Sequence, residues 1–298
     1  MTAEPSPATS TVAPSGTSTR VAVTGATGQL GRLVVAGLLD RLPADHVVAV
    51  VRDADRAASL GAEVRVAPYE DRDALTAAFA GVDVVVFVSA SVPGVRVPQH
   101  TNVVEAARAA GVGRVVYTSA PRADDTTLIL APEHKATEEL LRASGLRWTF
   151  LRNNWYSENY AGTLRTAAAT GEVVSAAGDG RVASASRPDF AAAAVVVATT
   201  EGHDDAVYEL GGDEAWDFAG FTRAASTAVG QELTYRPVSP DELAAELERA
   251  GLDEGTRGFV VALDVNIAEG TLAEVTGDLS RLIGRATTPL VTTLRSLA

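Results

Sequence analysis

The stretch RVAVTGATGQLG, residues 20–31, decides the fold of this chain. Its first five residues are a short apolar run, which is typical of a strand buried on both faces. Gly25, Gly28 and Gly31 follow in the spacing GxxGxxG, and a helical pattern begins directly after them. Such glycines allow a tight exit from the strand, close approach of backbone amides to a diphosphate, and close helix–sheet packing. The loop therefore predicts a dinucleotide site at a helix N-terminus. The residues expected to form it are Gly25, Thr27, Gly28, Gln29, Leu30 and Gly31.

Short apolar runs alternate with helical segments through the first half of the chain. The predicted strands are residues 20–24, 46–51, 63–66, 82–88, 114–118 and 147–151. The main predicted helices after the first are residues 71–80, 103–110 and 133–143. Strands regularly separated by helices imply a parallel sheet covered on both faces. We therefore expect an α/β fold with a Rossmann-like doubly wound parallel sheet, in which ligands bind beyond the carboxyl ends of the strands.

The end of the second predicted strand indicates which dinucleotide is bound. The sequence there reads VVRD, residues 50–53. An acidic residue at this place accepts hydrogen bonds from the ribose of NAD, whereas an arginine accommodates the 2′-phosphate of NADP. Arg52 is the first residue after the strand, with Arg56 one helical turn later, so the sequence favours NADPH. Asp53 allows two interpretations, because its carboxylate could repel the 2′-phosphate or cap the next helix.

The ends of the later strands supply further candidates for the cofactor site. Ser89, Ala90 and Ser91 follow the fourth predicted strand, and Thr118 and Ser119 follow the fifth. By position these residues are expected to line the cofactor. Ordinary turn chemistry is the competing explanation for these small residues.

Polar and aromatic residues cluster after the sixth predicted strand, in a chain with only 5% aromatic residues. Trp and Tyr offer flat apolar faces against which a planar ring can stack, together with a polar group that orients it. An Asn amide can hold a carboxamide or an acceptor oxygen. We expect Asn153 to contact the cofactor, and the substrate to contact Asn154, Trp155, Tyr156 and Tyr160. The alternative is a core seam between two domains.

The domain organisation follows from the point at which the alternation fades, near residue 151. We predict an NADP-binding Rossmann domain over residues 20–152. A smaller α/β substrate-binding domain is predicted over residues 153–298, with segments that return to the Rossmann sheet. Residues 1–19 are rich in Ser, Thr, Pro and Ala without periodicity, which predicts a disordered tail.

Composition excludes several classes of function. The 298 residues include 25 Lys+Arg and 38 Asp+Glu, a net charge of −13, which disfavours nucleic-acid binding. The absence of cysteine excludes disulfides, thiolate metal sites and cysteine nucleophiles. The four histidines form no HxH or HxxxH pair, so no metal site is expected. No apolar run approaches the roughly 18 residues of a membrane span, and the first residues lack the pattern of a secretion signal. We expect a cytoplasmic protein with no membrane partner, and homodimer formation stays open.

Several motifs carry a resemblance to a known family. They are VAVTGATGQLG (21–31), PQHTNVVEAARAAGV (98–112), VVYTSA (115–120), LRNNWYSENY (151–160) and AAGDGRVASASRPDFAAAA (176–194). With them the chain resembles the NmrA-like, atypical short-chain dehydrogenase/reductases from about residue 20 to its end. Within that family it is most similar to the type 2 NAD(P)H:quinone oxidoreductases, and the related triphenylmethane-dye reductases share the same frame. The resemblance implies a Rossmann domain, a small C-terminal substrate domain, NADPH, and hydride delivery to a quinone-like acceptor.

The usual catalytic pair of the short-chain reductases is missing. They carry Tyr-x-x-x-Lys, in which the lysine lowers the pKa of the tyrosine so that it can donate a proton. The only lysine, Lys135, follows Ala131 by four residues, and Tyr117 has Pro121 four residues later. His134 falls where such reductases place their lysine. It could bind the nicotinamide ribose or supply a proton to a reduced quinone near neutral pH, or it could be a helix-surface histidine. We take His134 and Tyr156 as the catalytic candidates.

The missing pair favours an acceptor that needs little acid catalysis, because the nicotinamide itself supplies the hydride. Quinones and cationic dyes are acceptors of this kind. The expected function is an NADPH-dependent oxidoreductase that acts on a small planar electron acceptor such as a quinone. Two alternatives stay open: an NmrA-type, NADP(H)-binding redox sensor without turnover, and a biosynthetic ketone or enone reductase.

Overall fold

The strand that precedes the glycine loop lies in the middle of the main sheet. The computed structural model describes residues 19–90, 92 and 94–298, so the predicted tail up to residue 18 and the predicted cofactor residue Ser91 lie outside the described residues. The strands in chain order are β1 (Val21–Val23), β2 (Val47–Val51), β3 (Glu63–Val66), β4 (Val84–Phe87), β5 (Arg114–Ser119), β6 (Arg147–Asn153), β7 (Glu172–Ser175), β8 (Arg181–Val182), β9 (Ala206–Leu210), β10 (Trp216–Asp217) and β11 (Thr234–Pro237).

Helices separate most of these strands. They are α1 (Gly31–Leu39), α2 (Arg72–Ala78), α3 (Arg96–Ala109), α4 (Ala131–Ala143), α5 (Ala161–Thr170), α6 (Arg187–Thr199), α7 (Phe218–Val229), α8 (Pro240–Arg249), α9 (Glu254–Ala268), α10 (Asp278–Ile283) and α11 (Leu290–Arg295). Within the described chain, no helix combines the length and the apolar content needed to cross a membrane.

The main sheet confirms the predicted fold class. Over the described residues it has seven strands in the order β3-β2-β1-β4-β5-β6-β9, and every neighbouring pair is parallel. The chain moves outward from β1 in one direction through β2 and β3, and in the other direction through β4, β5 and β6. Strand order therefore reverses between β1 and β4, and a doubly wound sheet binds its ligands at such a point.

Both faces of the sheet are covered, as the apolar strand sequences require. Val21 and Val23 point into a core that contains Val34 of α1 and Phe190 of α6. Ala22 points the opposite way, into a second core with residues of α2 and α3. The strict alternation of side chains along β1 thus explains why a three-residue strand without a polar residue suits this place.

The second half of the chain both returns to the main sheet and forms a third core. Strand β9 pairs with β6, and α6 packs against α1. The third core lies among α5, α7, α9 and α11, beside the small pairs β8–β10 and β7–β11. Strand β9 therefore belongs to the same sheet as β1 to β6. The division of the chain into two domains at residue 152 stays a prediction.

Helix α3 begins at Arg96, seven residues before the predicted start at residue 103. The third residue of the helix is Pro98. The N–H groups of a first turn have no partner within the helix, so a proline there removes no helical hydrogen bond.

Candidate active site

The glycine loop forms a tight turn with free backbone donors. Gly25 has φ +57°, and its carbonyl accepts the N–H of Gly28 at 2.8 Å. A Cβ at Gly31 would lie 2.3 Å from the Gly25 oxygen, so only glycine fits there. Within the described chain, the amides of Gln29, Leu30 and Gly31 have no hydrogen-bond partner, and α1 begins at Gly31. The turn therefore presents several N–H donors and a helix N-terminus, a combination suited to a diphosphate.

Arg52 follows β2 directly and lines the same cleft as the glycine turn, together with Arg56. Both side chains are exposed, and neither has an ion pair or a hydrogen bond in the part of the chain that the structure describes. Asp53 instead accepts the N–H of Asp55 at 3.0 Å, and it is not among the residues that line the cleft. Asp53 thus stabilises a local turn just before the 3₁₀ helix Asp55–Ala57, but the N-cap of that helix is Ala54, so the capping role is not confirmed.

The charge of Arg52 provides a test of cofactor choice. Arg52→Glu places a carboxylate where we expect a 2′-phosphate, so the preference for NADPH over NADH should fall by at least about tenfold, or ~1.4 kcal/mol. The measurement is the Kd of each cofactor by fluorescence titration. Arg165→Glu makes the same charge reversal at an exposed position of α5 outside the cleft lining, and it should leave the ratio unchanged. An unchanged ratio in Arg52→Glu would show that Arg52 does not read the phosphate.

The carboxyl ends of β4 and β5 form one wall of the cleft. Ser89, Ala90, Thr118 and Ser119 all line it. The Ser89 N–H donates to Thr118 Oγ1 at 3.0 Å, which ties the two strand ends together. Ser119 Oγ donates to Glu138 Oε1 at 2.7 Å, so its lone pairs remain available as acceptors. The structure thus brings these predicted residues to the cleft, next to the glycine turn.

Asn153, at the end of β6, carries an acceptor atom without a partner. Its Nδ2 donates to the hydroxyl of Tyr156 at 3.3 Å, whereas its Oδ1 is buried and has no hydrogen-bond partner within the described chain. An unsatisfied buried acceptor costs about 1–3 kcal/mol. The carboxamide N–H of a nicotinamide would satisfy it, so this side chain fits the expected cofactor.

Asn154 and Trp155 form the wall next to Asn153. The amide of Asn154 binds only backbone groups, with Oδ1 accepting from Trp155 N at 2.6 Å and Nδ2 donating to Leu272 O at 3.1 Å. Trp155 lines the cleft and packs on its other side against the third core. Asn154 therefore fixes the position of Trp155, and the aromatic face is left for a ligand.

Tyr156 is held on three sides. Its ring packs edge-on against Phe190 at 5.2 Å, the Arg187 guanidinium lies 4.9 Å from the ring centre, and its hydroxyl meets Asn153. Burial raises the pKa of the Tyr156 phenol. The phenol therefore keeps its proton at neutral pH and can donate a hydrogen bond.

Tyr160 corrects the prediction of a substrate contact. Its ring is buried in the third core, 5.1 Å from Trp216 and 5.0 Å from Phe221, and it does not line the cleft. The 3₁₀ turn Ser157–Tyr160 directs this side chain inward, where its apolar area is buried. For Tyr160, the core-seam alternative is the correct one.

His134 lies in the first turn of α4 and lines the cleft, so it is not a helix-surface histidine. Only 6% of the residue is exposed, and its Nδ1 lies 2.8 Å from the hydroxyl of Tyr117. Burial, helped by the positive charge of Arg96, lowers the pKa of His134 to about 3. The imidazole is therefore neutral at pH 7. The geometry favours hydrogen bonding over the expected supply of a proton near neutral pH.

The buried His134 makes the fold sensitive to acid in a defined window. The unfolded chain binds a proton below about pH 6.5 while the folded chain does not until about pH 3, so stability falls as the pH drops through that range. In His134→Gln, the difference in unfolding free energy between pH 7 and pH 5 should shrink by about 2 kcal/mol. Urea unfolding at both pH values measures it. An identical pH dependence in the variant would contradict the lowered pKa.

Several parts of the cleft wall were not predicted from the sequence, and three of them carry polar groups or close the cleft. Arg96 is buried, and it donates to Ala90 O at 2.9 Å and to Glu133. Tyr69 donates from its hydroxyl to Val88 O at 2.6 Å. The first turn of α9 closes the opposite side of the cleft. The start of this helix could have been found in the sequence, because Asp253 is an N-cap residue whose side chain accepts the N–H of Thr256.

Apart from Asp53 and Tyr160, the predicted site residues that the structure describes surround one cleft of about 1060 Å³. Drug-sized ligands occupy pockets of roughly 300–1,000 Å³, so this cleft has room for a dinucleotide and a small second molecule. A doubly wound parallel sheet, a glycine turn at the switch point and an arginine at the end of β2 define a Rossmann-type dinucleotide-binding protein.

Comparison with known proteins agrees with this class. A family model described as NAD(P)H-binding matches residues 25–201, and the chain belongs to this NAD(P)H-binding family. Quinone oxidoreductase 2 of Escherichia coli is 43% identical over 280 residues, which cover 93% of this chain and 98% of that protein.

Two solved structures share the fold over the same 93% of the chain. The first is an NADPH-dependent quinone oxidoreductase from Escherichia coli in complex with NADPH, with 43% identity, 99% of that chain covered and a TM-score of 0.90. The second is the triphenylmethane reductase of Citrobacter sp. in complex with NADP(H), with 37% identity, 100% of that chain covered and a TM-score of 0.89.

Proposed function

We propose that this protein is an NADPH-dependent reductase that transfers a hydride to a quinone or a similar conjugated acceptor. The observation that carries the proposal is a single cleft that runs from the glycine turn to Asn153, Trp155 and Tyr156. The similarity to a quinone oxidoreductase along almost its whole length supports the same activity. An NAD(P)H-binding fold suits an enzyme and a sensor alike; the 43% identity to a quinone oxidoreductase supports turnover over the alternative of a sensor without turnover.

Each part of the cleft receives a role in binding. The amides at residues 29–31 hold the diphosphate, and Arg52 with Arg56 holds the 2′-phosphate. Asn153 Oδ1 accepts from the carboxamide, and Trp155 offers its face to the planar acceptor. Reduced nicotinamide supplies a hydride, and one proton from solvent completes the two-electron reduction of a quinone to a hydroquinone.

The proton chemistry of the cleft favours a strong electron acceptor over a simple ketone. His134 is neutral, and the Tyr156 phenol keeps its proton. Lys135 is exposed, and among the described residues its Nζ reaches only Asp124 O at 3.4 Å. These side chains can donate hydrogen bonds, but they supply no activated acid of the Tyr–Lys kind. A quinone needs none, since the charge that it gains is delocalised.

A panel of acceptors tests the proposal. Purified protein and NADPH are mixed with benzoquinone, naphthoquinone, malachite green and simple ketones, and the absorbance of the reduced cofactor is followed. We expect consumption with the quinones and the dye, at least about 100-fold faster than with the ketones, a barrier difference of ~2.7 kcal/mol. Binding of NADPH without consumption would favour the redox sensor. A preference for ketones would favour the biosynthetic reductase.

A further inference from the structure

Tyr117 and His134 form a buried pair at the cleft wall that the proposed function has not used. Tyr117 lies on β5 and is fully buried, with its ring against Phe87 and His100. Its hydroxyl lies 2.8 Å from His134 Nδ1. The second ring nitrogen of His134, Nε2, has no partner in the described chain, and the residue lines the cleft. Nε2 is therefore the nitrogen left to meet a ligand.

The neighbouring hydrogen bonds decide which atom of the pair donates. The Ala90 N–H donates to His100 Nε2 at 3.0 Å, so the hydrogen of neutral His100 is on Nδ1, and it donates to Thr137 Oγ1 at 2.8 Å. Thr137 in turn donates its own hydrogen to Glu133 O at 2.8 Å. Thr137 also lies close to the phenol and keeps a second acceptor lone pair, but the hydrogen bond that the phenol makes within the described chain is the one with His134 Nδ1 at 2.8 Å.

The phenol hydrogen of Tyr117 is then directed to His134 Nδ1. A buried hydroxyl that donates nowhere would cost about 1–3 kcal/mol. With Nδ1 acting as an acceptor, a neutral imidazole carries its hydrogen on Nε2. The tautomer of His134 is thus set by Tyr117 of β5, which lies on the side of the imidazole away from the cleft.

We propose that Tyr117 is a positioning residue that holds His134 as the Nε2–H tautomer, so that the cleft wall presents a neutral hydrogen-bond donor to an oxygen of the bound ligands. This proposal rests on the proposed function. The oxygen belongs either to the nicotinamide ribose or to the acceptor, where it gains negative charge during reduction. A preorganised neutral donor stabilises such an oxygen without transferring its proton.

Nuclear magnetic resonance of the full chain, labelled with ¹⁵N-histidine, tests the tautomer directly. Long-range ¹H–¹⁵N correlations distinguish a protonated Nε2 from a protonated Nδ1, and the His134 signal is the one missing in His134→Gln. We expect Nε2–H in the wild-type protein and loss of this single tautomer in Tyr117→Phe. A wild-type His134 with its hydrogen on Nδ1 overturns the proposal. This measurement needs no electron acceptor, so it tests the tautomer of His134 even if the protein reduces no quinone.

Kinetics then identify the oxygen. If it belongs to the ribose, Tyr117→Phe raises the Kd of NADPH by about fivefold; if it belongs to the acceptor, kcat falls by about fivefold while that Kd is kept. The matched control is Tyr208→Phe, because Tyr208 forms the same kind of pair with His203 Nδ1 at 2.7 Å and neither residue lines the cleft. It should change the His203 signal only. An unchanged Kd and kcat in Tyr117→Phe would overturn the role of the donor.

Discussion

Replacing Gly31 with alanine is expected to raise the Kd for NADPH by about 100-fold, or ~2.7 kcal/mol. The new Cβ would lie 2.3 Å from the Gly25 oxygen and 2.9 Å from Ala26 Cα. Both neighbours are backbone atoms, so the turn itself has to move. A misplacement of about 1 Å at an active site can cost a factor of 100 in rate, and we expect a displaced diphosphate turn to weaken binding by a similar factor. Isothermal titration with NADPH measures the loss, and thermal unfolding shows whether the variant is still folded.

Gly162→Ala is the matched control for this substitution. Gly162 lies in α5, and a Cβ there would meet nothing within 4 Å. Alanine at an exposed helical position stabilises a helix, so NADPH binding should be unchanged and stability equal or slightly greater. If folded Gly31→Ala bound NADPH within about threefold of the wild-type Kd, the diphosphate would not lie on this turn.

Glu138→Gln is expected to lower the free energy of unfolding by about 3 kcal/mol. Glu138 is fully buried in α4 and binds Arg152 through both oxygens, at 2.9 and 2.7 Å. Ser119 also donates to it. Burial alone would lower the pKa of Arg152, but hydrogen bonds to its carboxylates, Glu138 first, outweigh that effect and raise it. The amide of a glutamine at residue 138 would turn an N–H group toward the donors of Arg152 and Ser119. The buried positive charge of Arg152 would then be less compensated.

Urea unfolding measures the effect, with Glu139→Gln as the control. Glu139 is the next residue of the same helix and is exposed, so the identical change should alter stability by less than about 0.5 kcal/mol. In the variant, Arg152 keeps its ion pairs with Asp124 and Glu209, at 2.8 Å each. The expected loss of unfolding free energy is therefore at the lower end of the range for breaking a buried ion pair. Equal stability of the two variants would contradict the account of this network.

The fold was predictable where short-range signals agree. The run from residue 20 to residue 24, the glycine turn and the helix after it each predict the same βα unit, and the structure has it. Strands β2 and β4 were found for the same reason, because buried parallel strands are continuous apolar runs, whereas β3 is mostly exposed. The parallel arrangement then follows from their separation by helices.

Most of the site residues that were predicted correctly follow the end of a strand, whereas His134 was placed by its spacing from a later turn. Arg52 and Asn153 are of the first kind, and both reach the cleft. Tyr160 is seven residues beyond β6, at the end of the 3₁₀ turn Ser157–Tyr160, and its side chain is buried in the third core. Arg96 and the first turn of α9 belong to distant parts of the chain, so no local sequence pattern predicts that they line the cleft. The roles given to these residues stay predictions.

A crystal structure of the protein with NADPH and a slowly reacting quinone analogue tests the central claim most directly. The account predicts the diphosphate against the amides of residues 29–31, the carboxamide on Asn153 Oδ1, and the nicotinamide ring beside the analogue near Trp155 and Tyr156. A diphosphate bound elsewhere, or a nicotinamide ring that points away from Asn153, would contradict it.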